Sequence, residues 1–215
     1  MSVLLPGDPS IPWSTFAKKV DRKVVIIQDN NNRKSVGFTT ENVTEEVYES
    51  EKILKRTQIL KSDLLDIEAI SMISKDTFKP YKHKISTNST TKTVEYLGSY
   101  IQLIKGDSEK KIKIENDLFE NHSVEMVIRL LPLQHGYSTH LFVFHAGKEK
   151  IIKVSISVVA KEFVKKNGPN MVESWKTEVN FEGTIQIYWI SIKEKELLKQ
   201  ENVLSGNEKL IFERE

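Results

Sequence analysis

The sequence predicts a mainly β protein (α+β at most), in which a long antiparallel meander curls into a half-barrel or open barrel and carries one amphipathic helix. Apolar and polar residues alternate along much of the chain, as in strands that have one buried face. Turn-forming Asn, Gly, Ser and Asp residues separate these runs, which indicates hairpin connections. The 215 residues, with 39% hydrophobic residues and a formal charge of only +2, suit one folded core.

The clearest alternation lies in the C-terminal half of the chain. Apolar residues occupy every second position from Ile152 to Val158, so we expect one face of this strand to lie on the core. Two later runs have the same period, with the expected core-facing residues Trp175, Thr177, Val179, Phe181, Ile185, Ile187 and Trp189. Together, the runs and turns predict roughly eleven or twelve strands.

The segment 43–60 contains two overlapping patterns. Val43, Val47 and Leu54 partly fit a helix, whereas Glu49–Lys52 resembles a hairpin turn. Because the surrounding segments are predicted strands, we favour two strands here.

One segment has the spacing of a helix. Asn121 or Ser123 can cap its start, and Pro132 prevents its continuation. Its apolar stripe, spaced i, i+3, i+4 and i+7, consists of Val124, Val127, Ile128 and Leu131. The sequence therefore predicts one amphipathic helix near 122–131.

The predicted organisation is an irregular N-terminal arm over residues 1–20 followed by a single β-rich domain over 21–215. The arm holds three of the six prolines, and we expect one helical turn in it around Ser14–Lys19. Strand twist prevents so long a meander from staying flat, so we expect it to curl. One helix is too small to cover a broad flat sheet, but it is large enough to fill or cover a curled one.

Several classes of function require residues that the sequence lacks. It contains no cysteine, which excludes disulfides, thiolate metal ligands and cysteine nucleophiles. No two of the nine glycines are closer than eight residues, which excludes Gly-rich nucleotide- and phosphate-binding loops. No apolar stretch approaches the roughly 20 residues of a membrane-spanning helix. No third of the chain is strongly basic, so we expect no nucleic-acid partner.

The first residues bear on localisation. The start, MSVLLPGDPSIPW, lacks the basic residues and the apolar run of an intact secretory signal. We expect a cytoplasmic protein if the chain is native and complete, and an envelope or exported protein if a signal peptide was trimmed. The oligomeric state stays open.

Several segments occur in an order that resembles a known family. They are Asp76–Tyr81, Phe119, Val127–Pro132, Gly136-Tyr137, Trp175–Val179, Tyr188–Ser191 and Leu197–Glu201. Over Ser62–Glu201 the chain thereby resembles the bacterial family called domain of unknown function 3108. The resemblance implies a mostly antiparallel β fold, similar to the curled sheets of periplasmic lipoprotein carriers, in proteins that are often exported. Since the family's activity is not established, it implies no catalytic residue.

Three histidines, His135, His140 and His145, are grouped in the sequence. Imidazoles at this density can bind zinc or act as a general base. A strand through Leu141–Phe144 would place His140 and His145 on opposite faces, so these two cannot share one ion. No neighbouring carboxylate completes a site. We therefore predict no metal ligand, no catalytic residue and no cofactor.

Four aromatic residues, Tyr137, Trp175, Tyr188 and Trp189, are the candidate ligand-binding residues. They can line an apolar cavity, or they can simply fill the core of the curled sheet. These two interpretations are compatible, because the core face and the cavity of a half-barrel are the same face.

Two hypotheses for the function follow. The first is a non-enzymatic binding or structural protein, whose curled sheet offers an apolar concave face to a hydrophobic small molecule, a lipid or a protein partner. The alternative is a hydrolase-like or metal-dependent enzyme that combines His135 or His140 with distant carboxylates. The lack of a catalytic motif favours the first.

Overall fold

The computed structural model describes residues 3–17, 19–63, 65–166, 170–204 and 206–214. A 3-10 turn, Trp13–Thr15, precedes the first strand, and a second one, Asn121–Ser123, leads into the helix α1 (Val124–Leu130). The strands are β1 (Lys19–Asp29), β2 (Asn32–Tyr48), β3 (Glu51–Ser62), β4 (Ile67–Ser74), β5 (Pro80–Thr87), β6 (Thr91–Tyr96), β7 (Tyr100–Lys105), β8 (Ser108–Lys113), β9 (Phe119–Glu120), β10 (Ser138–His145), β11 (Lys150–Lys165), β12 (Met171–Phe181), β13 (Thr184–Ser191), β14 (Leu197–Val203) and β15 (Glu208–Arg214).

All the described strands belong to one sheet, in the order β8-β7-β6-β5-β4-β3-β2-β1-β15-β14-β13-β12-β11-β10-β9. The first and last strands pair in the middle of the sheet, so two meanders are joined along β1 and β15. Neighbours are antiparallel, except that β9 runs parallel to β10. This confirms the predicted long antiparallel meander.

The sheet is curled, and side chains join its two ends. Val94, Ile101 and Leu103 from β6 and β7 form one apolar cluster with Phe144 and Ala146 from the β10 end of the sheet. Between these ends the described strands form no hydrogen-bonded ladder, so the barrel is open. The chain itself crosses the gap, because β8 lies at one edge and β9 at the other.

The helix α1 lies inside the curled sheet. Every residue from Val124 to Arg129 is buried, and α1 shares one apolar cluster with strand residues such as Leu54, Val179 and Ile190. A helix that is buried on all sides is a core helix. The helix predicted near 122–131 is thus confirmed. None of the helices among the described residues could span a lipid bilayer.

The N-terminal arm also contributes to the core. Leu4, Ile11, Trp13 and Phe16 are buried in the same cluster as α1. The ring of Trp13 lies 5.1 Å from that of Phe78, measured between centroids, and its Nε1 donates a hydrogen bond to a backbone carbonyl of the arm. The ordered turn lies at Trp13–Thr15, earlier than the predicted Ser14–Lys19.

Two predictions about strands have clear outcomes. The segment 43–60 forms parts of β2 and β3, so the preference for two strands is confirmed. The described strands number fifteen, which is more than predicted. The extra strands are short or polar, and β8, with the sequence SEKKIK, contains a single apolar residue, Ile112.

The prediction of which side of β13 faces the core was wrong. Tyr188 lies opposite Thr177, and Gln186 lies opposite the core residue Val179, so these two side chains point inward. Ile185, Ile187 and Trp189 therefore occupy the outer face. Trp189 is nevertheless buried. Its ring is covered by the lysines of two neighbouring strands, with Nζ atoms 5.4 and 4.6 Å from the ring centroid, and its Nε1 donates to a carboxylate.

Candidate functional site

A row of polar residues crosses the inner face of the sheet. Arg56 on β3 lies directly opposite Ser71 on β4, and Ser71 lies opposite His83 on β5. The row continues into apolar Val43 and Val94 on either side. Arg56, Ser71 and His83 are at most 3% exposed. Consecutive polar residues in an apolar core need partners there, which makes this row the first candidate site.

Arg56 is the centre of a buried ion-pair cluster. Its guanidinium donates hydrogen bonds to the carboxylates of Glu41 and Glu125 and to the backbone carbonyl of His122. Burial alone would raise the pKa of Glu125, but Arg56 and the other nearby cations lower it to about 2. The cluster therefore ties α1 and the turn before it to β2 and β3.

The charges continue along β1 and toward the C-terminus. Lys23 and Asp21 form an ion pair with 2.8 Å between Nζ and Oδ2. Arg214 lies between Asp21, at 2.9 Å, and Glu196, at 2.6 Å. The cations of this interior are thus already matched by carboxylates.

Ser71 connects His83 to a second buried carboxylate. Its Oγ lies 3.1 Å from Oε2 of Glu120 and 3.0 Å from Nδ1 of His83. Because a carboxylate accepts, the hydroxyl donates to Glu120 and must accept from an Nδ1–H of His83. This tautomer leaves a lone pair on Nε2 of His83, and that atom is buried without a hydrogen-bond partner among the described residues.

His122 completes this group. The rings of His83 and His122 stack, with centroids 4.5 Å apart and planes inclined by 21°. Burial and the positive charge of Arg56 lower the pKa of His83 to about 4. Burial and its neighbour His83 likewise lower the pKa of His122 to about 4. Both imidazoles are consequently neutral at pH 7.

The three side chains form the only arrangement of metal-type ligands that the described residues offer. One ligand atom each from His83, Glu120 and His122 lies within 4.8 Å of the other two. Sequence reasoning missed this group, because its members come from β5, β9 and the second 3-10 turn. The spacing Glu120-Asn-His122 was the one local signal, and by itself it is common.

A cavity of about 290 Å³ adjoins the cluster of Arg56 and the imidazole of His122. Its lining combines charged, amide, hydroxyl and aromatic side chains from both meanders and from the turn before α1. They are Lys23, Thr39, Arg56, Gln58, Asn121, His122, Glu125, His145, Phe181, Thr184, Gln186, Tyr188, Leu197, Gln200 and Phe212. The amide oxygen Oδ1 of Asn121 is itself inaccessible to water and has no hydrogen-bond partner among the described residues.

A second cavity, of about 220 Å³, lies on the other side of the same turn. It shares Asn121, His122 and His145 with the first cavity. His122 therefore borders open space on both sides, whereas His83 behind it is fully buried.

Of the four aromatic residues singled out from the sequence, only Tyr188 borders one of the two cavities beside His122. Tyr188 lines the larger cavity, and its hydroxyl donates to the side chain of Gln186. Tyr137 and Trp175 are partly buried against the main core, and Trp189 lies on the outer face. A role for these residues in ligand binding stays a prediction.

The three grouped histidines are not brought together. His135 is exposed, and His140 is half-buried with its ring centroid 6.1 Å from that of Phe142. His145 lies on the opposite, inner face of β10, where its Nδ1 accepts hydrogen bonds from two backbone amides. In the described part of the chain, His135 and His140 join no three-ligand group.

Comparison with known proteins agrees with this architecture. The sequence profile of a family described as protein of unknown function, DUF3108, matches residues 15–212. The chain belongs to the DUF3108 family. This match extends beyond the segment 62–201 that the sequence motifs indicate, and it covers both meanders.

The DUF3108 chain is also similar to a solved structure. This is the crystal structure of a β-barrel-like protein of domain of unknown function DUF1849 from Brucella abortus, with a TM-score of 0.55 and 8% sequence identity. The alignment covers 93% of this chain and 97% of that one. At such low identity the likeness concerns the fold alone. No curated protein matches the chain. Neither the family nor the similar structure is described with an activity.

Proposed function

We propose that this DUF3108 protein is a non-enzymatic binding protein that holds a small, neutral, polar molecule in the cavity beside Arg56. The observation that carries the proposal is the composition of the cavity wall, in which most side chains end in a hydrogen-bonding group. Its volume of about 290 Å³ lies at the lower end of the range typical of small-molecule sites.

The charges of the wall favour a neutral ligand. Lys23 is paired with Asp21, and Arg56 is paired with Glu41 and Glu125. An anionic ligand would therefore meet no unmatched cation there. Amide and hydroxyl groups of the wall remain to orient a ligand by hydrogen bonds.

The hydrophobic small molecule or lipid expected from the sequence is the weaker candidate. The apolar part of the interior is occupied by α1 and by arm residues such as Trp13. An apolar ligand in the polar cavity would leave buried hydrogen-bonding groups without partners, at about 1–3 kcal/mol each. Phe181 and Phe212 provide apolar contact area in the wall, which suits one face of a polyol or of an amide.

Native mass spectrometry of the purified chain, compared with its denatured mass, tests the proposal. We expect an excess mass of a small polar molecule, or stabilisation on titration with a panel of neutral polyols, sugars and amides. The variant Gln200→Trp places a large ring in the cavity and should abolish binding. Gln102→Trp makes the same change on β7, where the side chain faces Glu109 instead, and should leave binding intact.

Three results would contradict the proposal. An excess mass that extracts into organic solvent would instead support the lipid hypothesis. Equal binding by Gln200→Trp and the wild type would place the ligand elsewhere. A chain that carries no excess mass and responds to no member of the panel would remove the basis for a polar ligand.

A further inference from the structure

We propose that His83, Glu120 and His122 bind one divalent transition-metal ion of the zinc class. Two imidazoles and one carboxylate are three protein ligands of the types that Zn²⁺ takes, with a fourth position left for water or a ligand. The same donors suit Fe²⁺. This site adjoins the polar-ligand cavity, because His122 lines that cavity, but the inference does not depend on the proposed function.

The first argument is the charge of Glu120. Its carboxylate is 1% exposed, and burying an unpaired charge is costly. The buried carboxylates of Asp21, Glu41 and Glu125 each have a lysine or arginine within ion-pair distance. Among the described residues, Glu120 has no lysine or arginine within ion-pair distance, and its one basic neighbour at that range is Nδ1 of His83, 3.7 Å from Oε1. A bound cation would supply the missing charge.

The second argument is the lone pair of His83. Its Nδ1–H is directed to Ser71, which in turn donates to Glu120. Such a hydrogen bond from the distal nitrogen is the support that metal-bound histidines normally have, since it orients the ring and raises its basicity. Nε2 is left buried with no hydrogen-bond partner among the described residues. A buried acceptor of this kind is rare unless something binds it.

The third argument is access. An ion can approach through either cavity, because His122 borders both, whereas His83 and Glu120 lie behind it. The two rings stack at 21°, so one imidazole must turn about χ2 for both lone pairs to point at one ion. The open space beside His122 leaves room for that rotation.

His145 borders both cavities but is not one of the proposed ligands. Its Nδ1 accepts hydrogen bonds from the backbone amides of Gly147 and Lys148, at 3.1 and 3.2 Å. In the neutral ring, Nε2 then carries the proton, so His145 has no free lone pair. The fourth coordination position of the ion is therefore left for a water or ligand from the cavities beside His122.

Titration calorimetry of the full chain, treated with a chelator and desalted, tests the inference. We expect one Zn²⁺ per chain, one Co²⁺ with a visible absorption spectrum, and no uptake of Mg²⁺. An anaerobic Fe²⁺ titration, compared with the Zn²⁺ titration, shows which of these two ions the chain binds more tightly. Glu120→Gln and His122→Gln should each weaken binding at least about 100-fold, more than the loss of a merely supporting residue usually does. His135→Ala removes an exposed histidine and should change nothing.

Histidine NMR of the wild type gives a second test that needs no variant. Zn²⁺ should shift the imidazole signals of His83 and His122 and leave that of His135 in place, even if the substituted chains fail to fold. The inference is overturned if the wild type binds none of the three ions, or if the shifted signals belong to other histidines. Folded Glu120→Gln and His122→Gln variants with undiminished affinity would overturn it as well.

These tests separate the metal site from the polar-ligand site. Gln200→Trp changes the cavity but none of the three proposed ligands, so it should leave Zn²⁺ affinity within about threefold of the wild type. A chain that binds Zn²⁺ but no polyol, sugar or amide would reject the proposed function and keep the metal site. A chain that binds a polyol, sugar or amide but no Zn²⁺ would reject the metal site and keep the proposed function.

Discussion

Ser71 and His83 face each other across β4 and β5, and the hydroxyl of Ser71 accepts a hydrogen bond from the imidazole while donating one to Glu120. The pairing of two adjacent strands thus determines the tautomer of a buried histidine. It also holds β9 against the opposite meander, because Glu120 belongs to β9 at the far edge of the sheet.

We expect Ser71→Ala to lower the free energy of unfolding by about 1–3 kcal/mol, since two buried groups lose their hydrogen-bond partner. Urea denaturation measures this loss, and ¹⁵N NMR of the His83 ring should show a changed tautomer. Ser71→Thr keeps the hydroxyl and should retain the tautomer. Ser155→Ala, on the outer face of β11, is the control. A change within about 0.5 kcal/mol for Ser71→Ala, as at an ordinary surface site, would argue against this hydrogen-bond chain.

Arg56 gives a second prediction. Arg56→Met leaves the carboxylates of Glu41 and Glu125 buried with fewer cations, so it should cost about 3–5 kcal/mol of unfolding free energy. The triple variant that adds Glu41→Gln and Glu125→Gln should recover much of that loss, because the buried negative charges are gone.

The control for this prediction is a surface pair. Arg33 lies 2.8 Å from Glu213, and its side chain is 47% exposed. Arg33→Met should therefore cost at most about 1 kcal/mol. Equal losses for Arg56→Met and Arg33→Met in urea denaturation would show that burial does not govern these ion pairs.

The pH dependence of stability should depend partly on Glu196. Burial alone would raise its pKa, but hydrogen bonds from Arg214 and Lys166 outweigh it and lower the pKa to about 2 from an ordinary value of 4.5. A lowered pKa stabilises the folded state above pH 4.5, and this contribution disappears as the pH falls from 4.5 toward 2. The wild type should lose stability over that window.

Glu196→Gln provides the comparison for this prediction. The variant should be less stable than the wild type at pH 7, and the difference between their urea midpoints should shrink as the pH approaches 2. Glu194→Gln, two residues away and more exposed, should show no such convergence. Parallel pH profiles for the wild type and Glu196→Gln would rule out this contribution.

The N-terminal arm gives a fourth prediction. Trp13 is 4% exposed and packs against Phe78 and Phe119. Trp13→Ala should therefore cost about 3–5 kcal/mol, as the truncation of large core aromatics usually does. Val20→Ala, at a side chain that is 77% exposed, should cost less than about 0.5 kcal/mol. If both variants unfold at the wild-type urea midpoint, the arm is not part of the core.

The alternation of apolar and polar residues predicted the core-facing side correctly for one strand and wrongly for the next. On β12 the alternation correctly placed Thr177 and Val179 on the core face. On β13 the same rule chose the wrong face, because Ile185, Ile187 and Trp189 looked more apolar than Gln186 and Tyr188. Alternation identifies two faces but not which one is inside, and lysine side chains can cover an outer tryptophan.

Elements whose signals are local can be located without a structure. Alternation and turn residues established the meander, the i, i+3, i+4 spacing located α1, and strand twist required the sheet to curl. The candidate sites, in contrast, depend on contacts that form across the folded sheet. His83, Glu120 and His122 come from separate elements and meet because the curled sheet brings its two ends together. Polar residues such as Arg56 look like ordinary surface positions until the fold encloses them, since a sequence pattern records spacing along the chain and not distance across a barrel.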